Sequence, residues 1–247
     1  MAAQAAARGR RVRLAARRRR RIRVSANLQC ALVFDLDGVL VDSEPVHFRA
    51  SQRLVAPGRI GEEDYARFTG LAIAPFMEWV RQHYGMPDSV AALTSRYSDL
   101  VSEELRRGGL EPLDGAAELI AAAHAEGWAV GLASQSIAEW VRATLEGCGL
   151  TDAFEVAVSG DDIERGKPEP DIFLLAAERL GVPPAACVAI EDSAAGVQSA
   201  AAAGMFVVQS RQASTAAPPQ PGAHLVVDTL RQLDLAALGA RLPPARR

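Results

Sequence analysis

The stretch Ala31-Leu-Val-Phe-Asp35-Leu-Asp37-Gly-Val-Leu-Val-Asp42-Ser-Glu44 decides how the rest of the chain is read. Its first four residues are continuously apolar, which predicts a strand buried on both faces rather than a half-exposed, alternating one. The strand runs directly into two carboxylates spaced i, i+2 and then Gly38. Acids at the end of a buried strand cost desolvation energy unless positive charge sits beside them. In open α/β sheets, ligands bind at the carboxyl ends of strands. Asp35 and Asp37 are therefore candidates for a metal and phosphate site. The plainer alternative is a strand followed by an Asp-Gly turn.

Beyond Glu44 the pattern becomes helical, at His47–Val55, Glu62–Phe68, Pro75–Tyr84 and a pair of segments from Ser89 to Arg107. Gly58, Gly61, Gly70, Gly85 and Gly108-Gly109 mark turns, and no strand pattern intervenes. Such a run is far longer than the usual crossover of about 10–12 residues, so 45–111 reads as an inserted helical cap. After Pro112, helices at Gly115–Glu126, Ile137–Cys148, Asp171–Leu180 and Ala194–Ala203 alternate with strands. Those strands are Trp128–Ala133, Phe154–Val158, Cys187–Ile190 and Met205–Val208, with Leu225–Val227 and a helix Leu230–Leu238 closing the series. The predicted fold class is α/β: a doubly wound parallel sheet built from 27–44 and 112–240, with the helical cap inserted and 241–247 as a tail.

Charge is segregated along the chain. Residues 1–34 hold ten of the 27 basic residues and no acid, leaving 17 basic against 30 acidic residues, a net of −13, in the remainder. An acidic body argues against a nucleic-acid-binding domain. The leader 1–26 has no apolar segment of secretory length and reads as a transit peptide for the chloroplast stroma, with mitochondrial or cytoplasmic placement as alternatives. A nuclear-localisation or RNA-binding arm and a mis-assigned start are its rivals. Three cysteines without a CxxC pair predict reduced thiols. No apolar run reaches the roughly 18 residues needed to span a membrane. Lys167 is the only lysine among 26 arginines. A chain that uses Arg elsewhere keeps Lys where a compact point charge is needed instead of a planar fork.

Polar groups collect at the predicted strand ends: Asp35 and Asp37, then Ser134 with Gln135, Lys167 in the loop after Val158, and Glu191-Asp192-Ser193. Asp35 and Asp192, with Glu191 beside them, are hard oxygen ligands suited to Mg²⁺. Ser134 and the backbone at Gln135 can donate to phosphoryl oxygens, and Lys167 can neutralise them. Asp35 is then placed as a nucleophile and Asp37 as its acid–base partner. For Glu191-Asp192-Ser193 and for Ser134, a helix cap is the structural alternative. His47 and Arg49 on the first cap helix are candidates for substrate contact or a solvated face. His83, His124 and His224 receive no role, and Trp79 and Trp140 fall at core-packing positions.

These residues carry a resemblance. Asp35-Leu-Asp37-Gly-Val-Leu, Ser134, Gly166-Lys167-Pro-Glu-Pro-Asp and Glu191-Asp192-Ser-Ala-Ala-Gly196 resemble the four motifs of the haloacid dehalogenase-like superfamily, over about residues 30–238. Within it, the helical insert is similar to that of the β-phosphoglucomutase-like and sugar-phosphate phosphatase branch. The resemblance implies a Rossmann-like core, a Mg²⁺-dependent phosphotransferase with an aspartyl-phosphate intermediate, and metal held by Asp35, the Asp37 backbone carbonyl and Asp192. Members that act as dehalogenases lack the second acid, so Asp37 favours phosphate chemistry. Arg96 stands where β-phosphoglucomutase has a substrate-contacting lysine, while Gln135 replaces a commoner serine.

The reading is a phosphatase acting on a small phosphorylated metabolite, most simply a sugar phosphate, as a monomer without membrane or nucleic-acid partners. A hexose-phosphate mutase is the alternative, and a non-catalytic RNA-binding protein the remote one.

Overall fold

The computed structural model describes residues 30–68 and 73–243. The leader 1–26, the Gly70 turn and the end of the predicted tail lie outside the described residues. Six parallel strands form one sheet in the order β3-β2-β1-β4-β5-β6. They are β1 (Ala31–Phe34), β2 (Ala129–Ala133), β3 (Val156–Val158), β4 (Cys187–Glu191), β5 (Phe206–Ser210) and β6 (Leu225–Val227). β1 lies inside, between β2 and β4, and all four of its residues are fully buried.

Period-2 alternation splits β1 between two cores. Leu32 and Phe34 join a cluster with Val130, Leu132, Val188 and Ile190, against α5 (Ala116–Ala125) and α9 (Leu235–Gly239). Ala31 and Val33 face the other side with Ala129, Ala133 and Ala189, against α7 (Asp171–Leu180) and α8 (Ala194–Ala202). The small residues on that face let α7 approach closely: a Cβ at Gly131 would lie 2.9 Å from a Leu180 methyl.

Between β1 and α5 lie α1 (Glu44–Val55), α2 (Glu62–Ala66), α3 (Ile73–His83) and α4 (Val90–Arg106). They bury their own cluster, with Val46, Ala50 and Leu54 of α1 against Met77 and Val80 of α3 and Leu93, Val101 and Leu105 of α4. That cluster also takes in Trp140 and Ala143 from α6 (Ala138–Gly147), a helix of the sheet-bearing part of the chain. At the crossing of α4 and α6 a Cβ on Gly147 would sit 2.2 Å from the Leu105 carbonyl oxygen, so the backbones touch there. No described helix is long and apolar enough to cross a membrane.

Two element predictions need correction. The pair of segments expected over Ser89 to Arg107 is one 17-residue helix, because the Ser89 side chain accepts from the Ala92 N–H as N-cap and nothing interrupts the ladder behind it. The helix expected over Leu230–Leu238 is instead two pieces. A 3₁₀ turn, Leu230–Gln232, is closed by a capping box with Thr229, and Asp234 caps a new start at α9. Polar caps cut a segment whose apolar spacing reads as continuous.

Candidate active site

β1, β2 and β4 end side by side, and the loops that leave them carry the predicted polar groups. The Asp35 N–H donates to the Ile190 carbonyl and the Ser134 N–H to the Val158 carbonyl, so the sheet ladder itself sets where these side chains emerge. Beyond Asp35 the chain turns sharply, with Gly38 N–H donating to Val41 O and Leu40 N–H to Leu36 O. Gly38 has φ +81°, and a Cβ there would lie 2.1 Å from an Asp192 carboxylate oxygen. Only glycine meets both conditions at low cost.

Lys167 occupies the centre. Its Nζ donates to Asp35 Oδ1 at 2.5 Å, Glu191 Oε1 at 2.7 Å and the Ala133 carbonyl at 3.1 Å, and lies 5.1 Å from the Phe173 ring centroid. Its side chain is 4% exposed. Three acceptors converging on one nitrogen suit an ammonium and not a guanidinium. Glu191 is more buried still, and its second oxygen accepts from Asp192 N–H, Ser193 N–H and Ser193 Oγ. Gly196 leaves room for that carboxylate, since a Cβ there would overlap it. Ser193 also caps α8, accepting from Gly196 N–H, so the cap alternative holds for this serine alongside the site geometry.

Asp37 is held by two hydroxyls that the sequence reading did not single out. Ser43 Oγ donates to Oδ1 and Ser136 Oγ to Oδ2, the latter at 3.0 Å. Ser43 stands at the N-cap of α1 yet makes no side-chain cap bond, because its hydroxyl goes to Asp37. A serine at each place was visible in the sequence, but nothing there told which way it turned. Ser134 is buried, and its Oγ accepts from Ser136 N–H at 3.1 Å, which leaves its own proton for a further acceptor.

Negative charge is in excess here. One ligand oxygen each from Asp35, Glu191 and Asp192 lie within 4.8 Å of one another. Burial lifts the Asp35 carboxyl well above the usual range; Lys167 opposes this while Glu191 and Asp37 reinforce it. Burial and the Glu191 carboxylate push Asp192 up to about 7, against the pull of Lys167. Burial works against the charge on Lys167, but Asp35 and Glu191 outweigh it and hold the ammonium firmly protonated. Hard oxygen donors short of positive charge are the setting a divalent cation relieves.

These groups form the floor of a cavity of about 550 Å³, within the usual size of small-molecule sites. Its walls include Gln135, His47, Tyr65, Phe68, Phe76, Tyr97 and Trp140. His47 reaches the cavity as expected, with Nδ1 3.1 Å from the Tyr97 hydroxyl, and burial lowers its pKa so that it favours the neutral imidazole. Trp140 does pack in the helical core as predicted, yet it also lines the cavity. Arg49 and Arg96 do not line it. The Arg49 guanidinium is taken by Glu104 at 3.2 Å, and Arg96 is exposed on α4.

The family description "haloacid dehalogenase-like hydrolase" matches residues 31–204. The chain belongs to the haloacid dehalogenase-like hydrolases. This hydrolase is 37% identical over 195 residues to the protein CbbY of Rhodobacter capsulatus, covering 72% of this chain and 83% of that one. With the fructose-1-phosphate phosphatase YqaB of Escherichia coli it shares 34% over 193 residues, 73% of this chain and 95% of the relative. Among solved structures, that of CbbY from Rhodobacter sphaeroides in complex with phosphate superposes with a TM-score of 0.71 at 27% identity, covering 81% and 94% of the two chains.

Proposed function

We propose that this hydrolase is a Mg²⁺-dependent phosphatase that cleaves a small phosphorylated metabolite, most simply a sugar phosphate, through an aspartyl-phosphate intermediate. The observation that carries the reading is Asp35 on the cavity floor. One of its oxygens is fixed by Lys167, while the other accepts no hydrogen bond among the described residues and is free to attack. The phosphatase and CbbY relatives support the substrate class.

Asp35 Oδ2 attacks phosphorus and the P–O bond to the alcohol breaks. Asp37, steered by Ser43 and Ser136, gives the departing oxygen its proton. Asp37 then takes a proton from water as that water attacks phosphorus, releasing phosphate and restoring Asp35. Ser134 donates its unused proton to a phosphoryl oxygen, the Gln135 N–H aids it, and Lys167 offsets charge that builds in the transition state. Asp35 and Asp192 would hold the metal, with the Asp37 backbone carbonyl as the further ligand, whereas Glu191 is occupied with Lys167 and the start of α8. Bound there, Mg²⁺ supplies charge neutralisation for the phosphoryl group.

The helical insert acts as a cap over the cavity, with His47 contributing to the alcohol-binding side. The acid-free leader 1–26 directs the chain to plastids; a fluorescent fusion of that segment appearing in the cytoplasm or mitochondria would remove this part. The central test is hydrolysis of p-nitrophenyl phosphate with Mg²⁺. Activity is expected in the native chain and absent in Asp35→Asn, and full activity in that variant would end the mechanism.

A further inference from the structure

The cavity is built in two unlike halves. Its lining contains five carboxylates, on Asp35, Asp37, Glu44, Glu191 and Asp192, and among the described residues a single fixed cation, Lys167. Lys167 is already bound on the floor by Asp35 and Glu191 and cannot serve a group at the far end. The helical wall opposite the floor is formed by Tyr65, Phe68, Ile73, Phe76, Tyr97 and Trp140. Among the described residues it carries no Arg or Lys. Glu44 opens α1 at this end, where its carboxylate accepts from the Tyr65 hydroxyl at 3.2 Å. Arg49 and Arg53, the basic residues of α1, are bound to Glu103 and Glu104 instead.

A phosphoryl group is met at the floor by Lys167 and by two further positive charges when a divalent cation is bound. The lining still has more negative than positive charge at that point. A second anion on the alcohol would lie against Glu44 and an aromatic wall, with no free cation among the described lining residues to offset the water it loses.

We propose that the cavity selects phosphomonoesters whose alcohol carries no second anionic group and lays an apolar ring or chain face on the helical wall. Aromatic rings accept such faces by dispersion and edge contacts without demanding charge. Bisphosphates are turned away. This rests on the phosphatase reading and narrows it, and it also weighs against the mutase alternative, whose cycle passes through a bisphosphorylated sugar in the same cavity.

The test uses the full chain with Mg²⁺ and two matched esters, phenyl phosphate and 4-carboxyphenyl phosphate, with kcat/KM read from phosphate release. The carboxylated phenol is the better leaving group, so any loss with it belongs to the cavity. We expect kcat/KM for 4-carboxyphenyl phosphate to be lower by at least about tenfold, from one uncompensated like-charge contact. Raised salt should narrow that gap, and Glu44→Gln should narrow it chiefly by improving the carboxylated ester. Phe68→Arg, which places a cation on the wall, should narrow it further. Equal kcat/KM for the two esters, or a gap that neither variant nor salt moves, would overturn the charge filter while leaving the phosphatase intact. Failure to release phosphate from phenyl phosphate would instead bring down the hydrolase chemistry beneath it.

Discussion

The floor and the helical wall of the cavity differ in how their side chains are fixed. On the floor, Asp35, Ser134 and Glu191 leave three neighbouring parallel strands, and the ladder sets their spacing before any side-chain contact forms. Hydrogen bonds hold most of the side chains there, and Lys167 ties together the ends of β1, β2 and β4, which are far apart in sequence. The wall is instead set by helix phase, with rings packed on one another, such as Phe68 against Phe76 and Trp79. Hydrogen bonds fix positions sharply, whereas ring packing tolerates exchange. Chemistry should therefore reside in the floor and selectivity in the wall.

The largest effect expected from this contrast is at Lys167. Lys167→Arg keeps the charge but not the three-acceptor point geometry, and kcat should fall by about 10²-fold or more, as for loss of a charge-stabilising donor. Steady-state kinetics on p-nitrophenyl phosphate measures it, and near-native kcat would show that any cation suffices. Gly196→Ala tests the same floor without changing a charge. Its Cβ would overlap the Glu191 carboxylate, so Lys167 should lose its anchor and kcat should drop by roughly tenfold or more. Native kcat there would mean that Glu191 is not needed to hold the ammonium.

Cation binding should be pH-dependent in a direction the floor dictates. An acid whose folded pKa is raised favours the folded state at low pH, and that contribution is lost as pH rises. For Asp192 the window runs from its ordinary 3.8 to about 7, so the cation-free protein should weaken across it. Mg²⁺ competes with that proton. It should therefore raise Tm more at about pH 8 than at about pH 5, by on the order of 5 °C at the higher pH. Calorimetry with chelator or Mg²⁺ checks this; equal shifts at both values would contradict it. The smallest effect belongs to the wall. Phe68→Ala should raise KM for an aryl phosphate by about 3–10-fold with kcat little changed, the scale of one aromatic contact. A fall in kcat equal to that of Gly196→Ala would erase the distinction between the halves.

The same contrast governs what could be read in advance. Asp35, Ser134, Lys167, Glu191 and Asp192 were legible because strand ends have a fixed place in a parallel sheet, and the structure brings all five to one cavity. The solitary lysine was a compositional signal for the same spot. Tyr65, Phe68 and Phe76 were not legible, since an aromatic residue on an amphipathic helix looks alike whether it faces a core or a ligand. Arg49 was a candidate on charge alone, and Glu104, 55 positions away, claims it. Ser43 and Ser136 were missed because hydroxyl direction depends on the tertiary neighbour, Asp37. Ser43 carried an ordinary cap signature that the fold puts to another use.

α6 belongs to two interiors at once: it follows β2 in the sheet-bearing part, and it lends Trp140 and Ala143 to the apolar centre of α1, α3 and α4. Unfolding either part strips cover from the indole, whose Nε1 proton is also held by the Ser98 carbonyl. The two should consequently melt together, as one cooperative transition in which tryptophan emission and far-ultraviolet dichroism change at the same temperature.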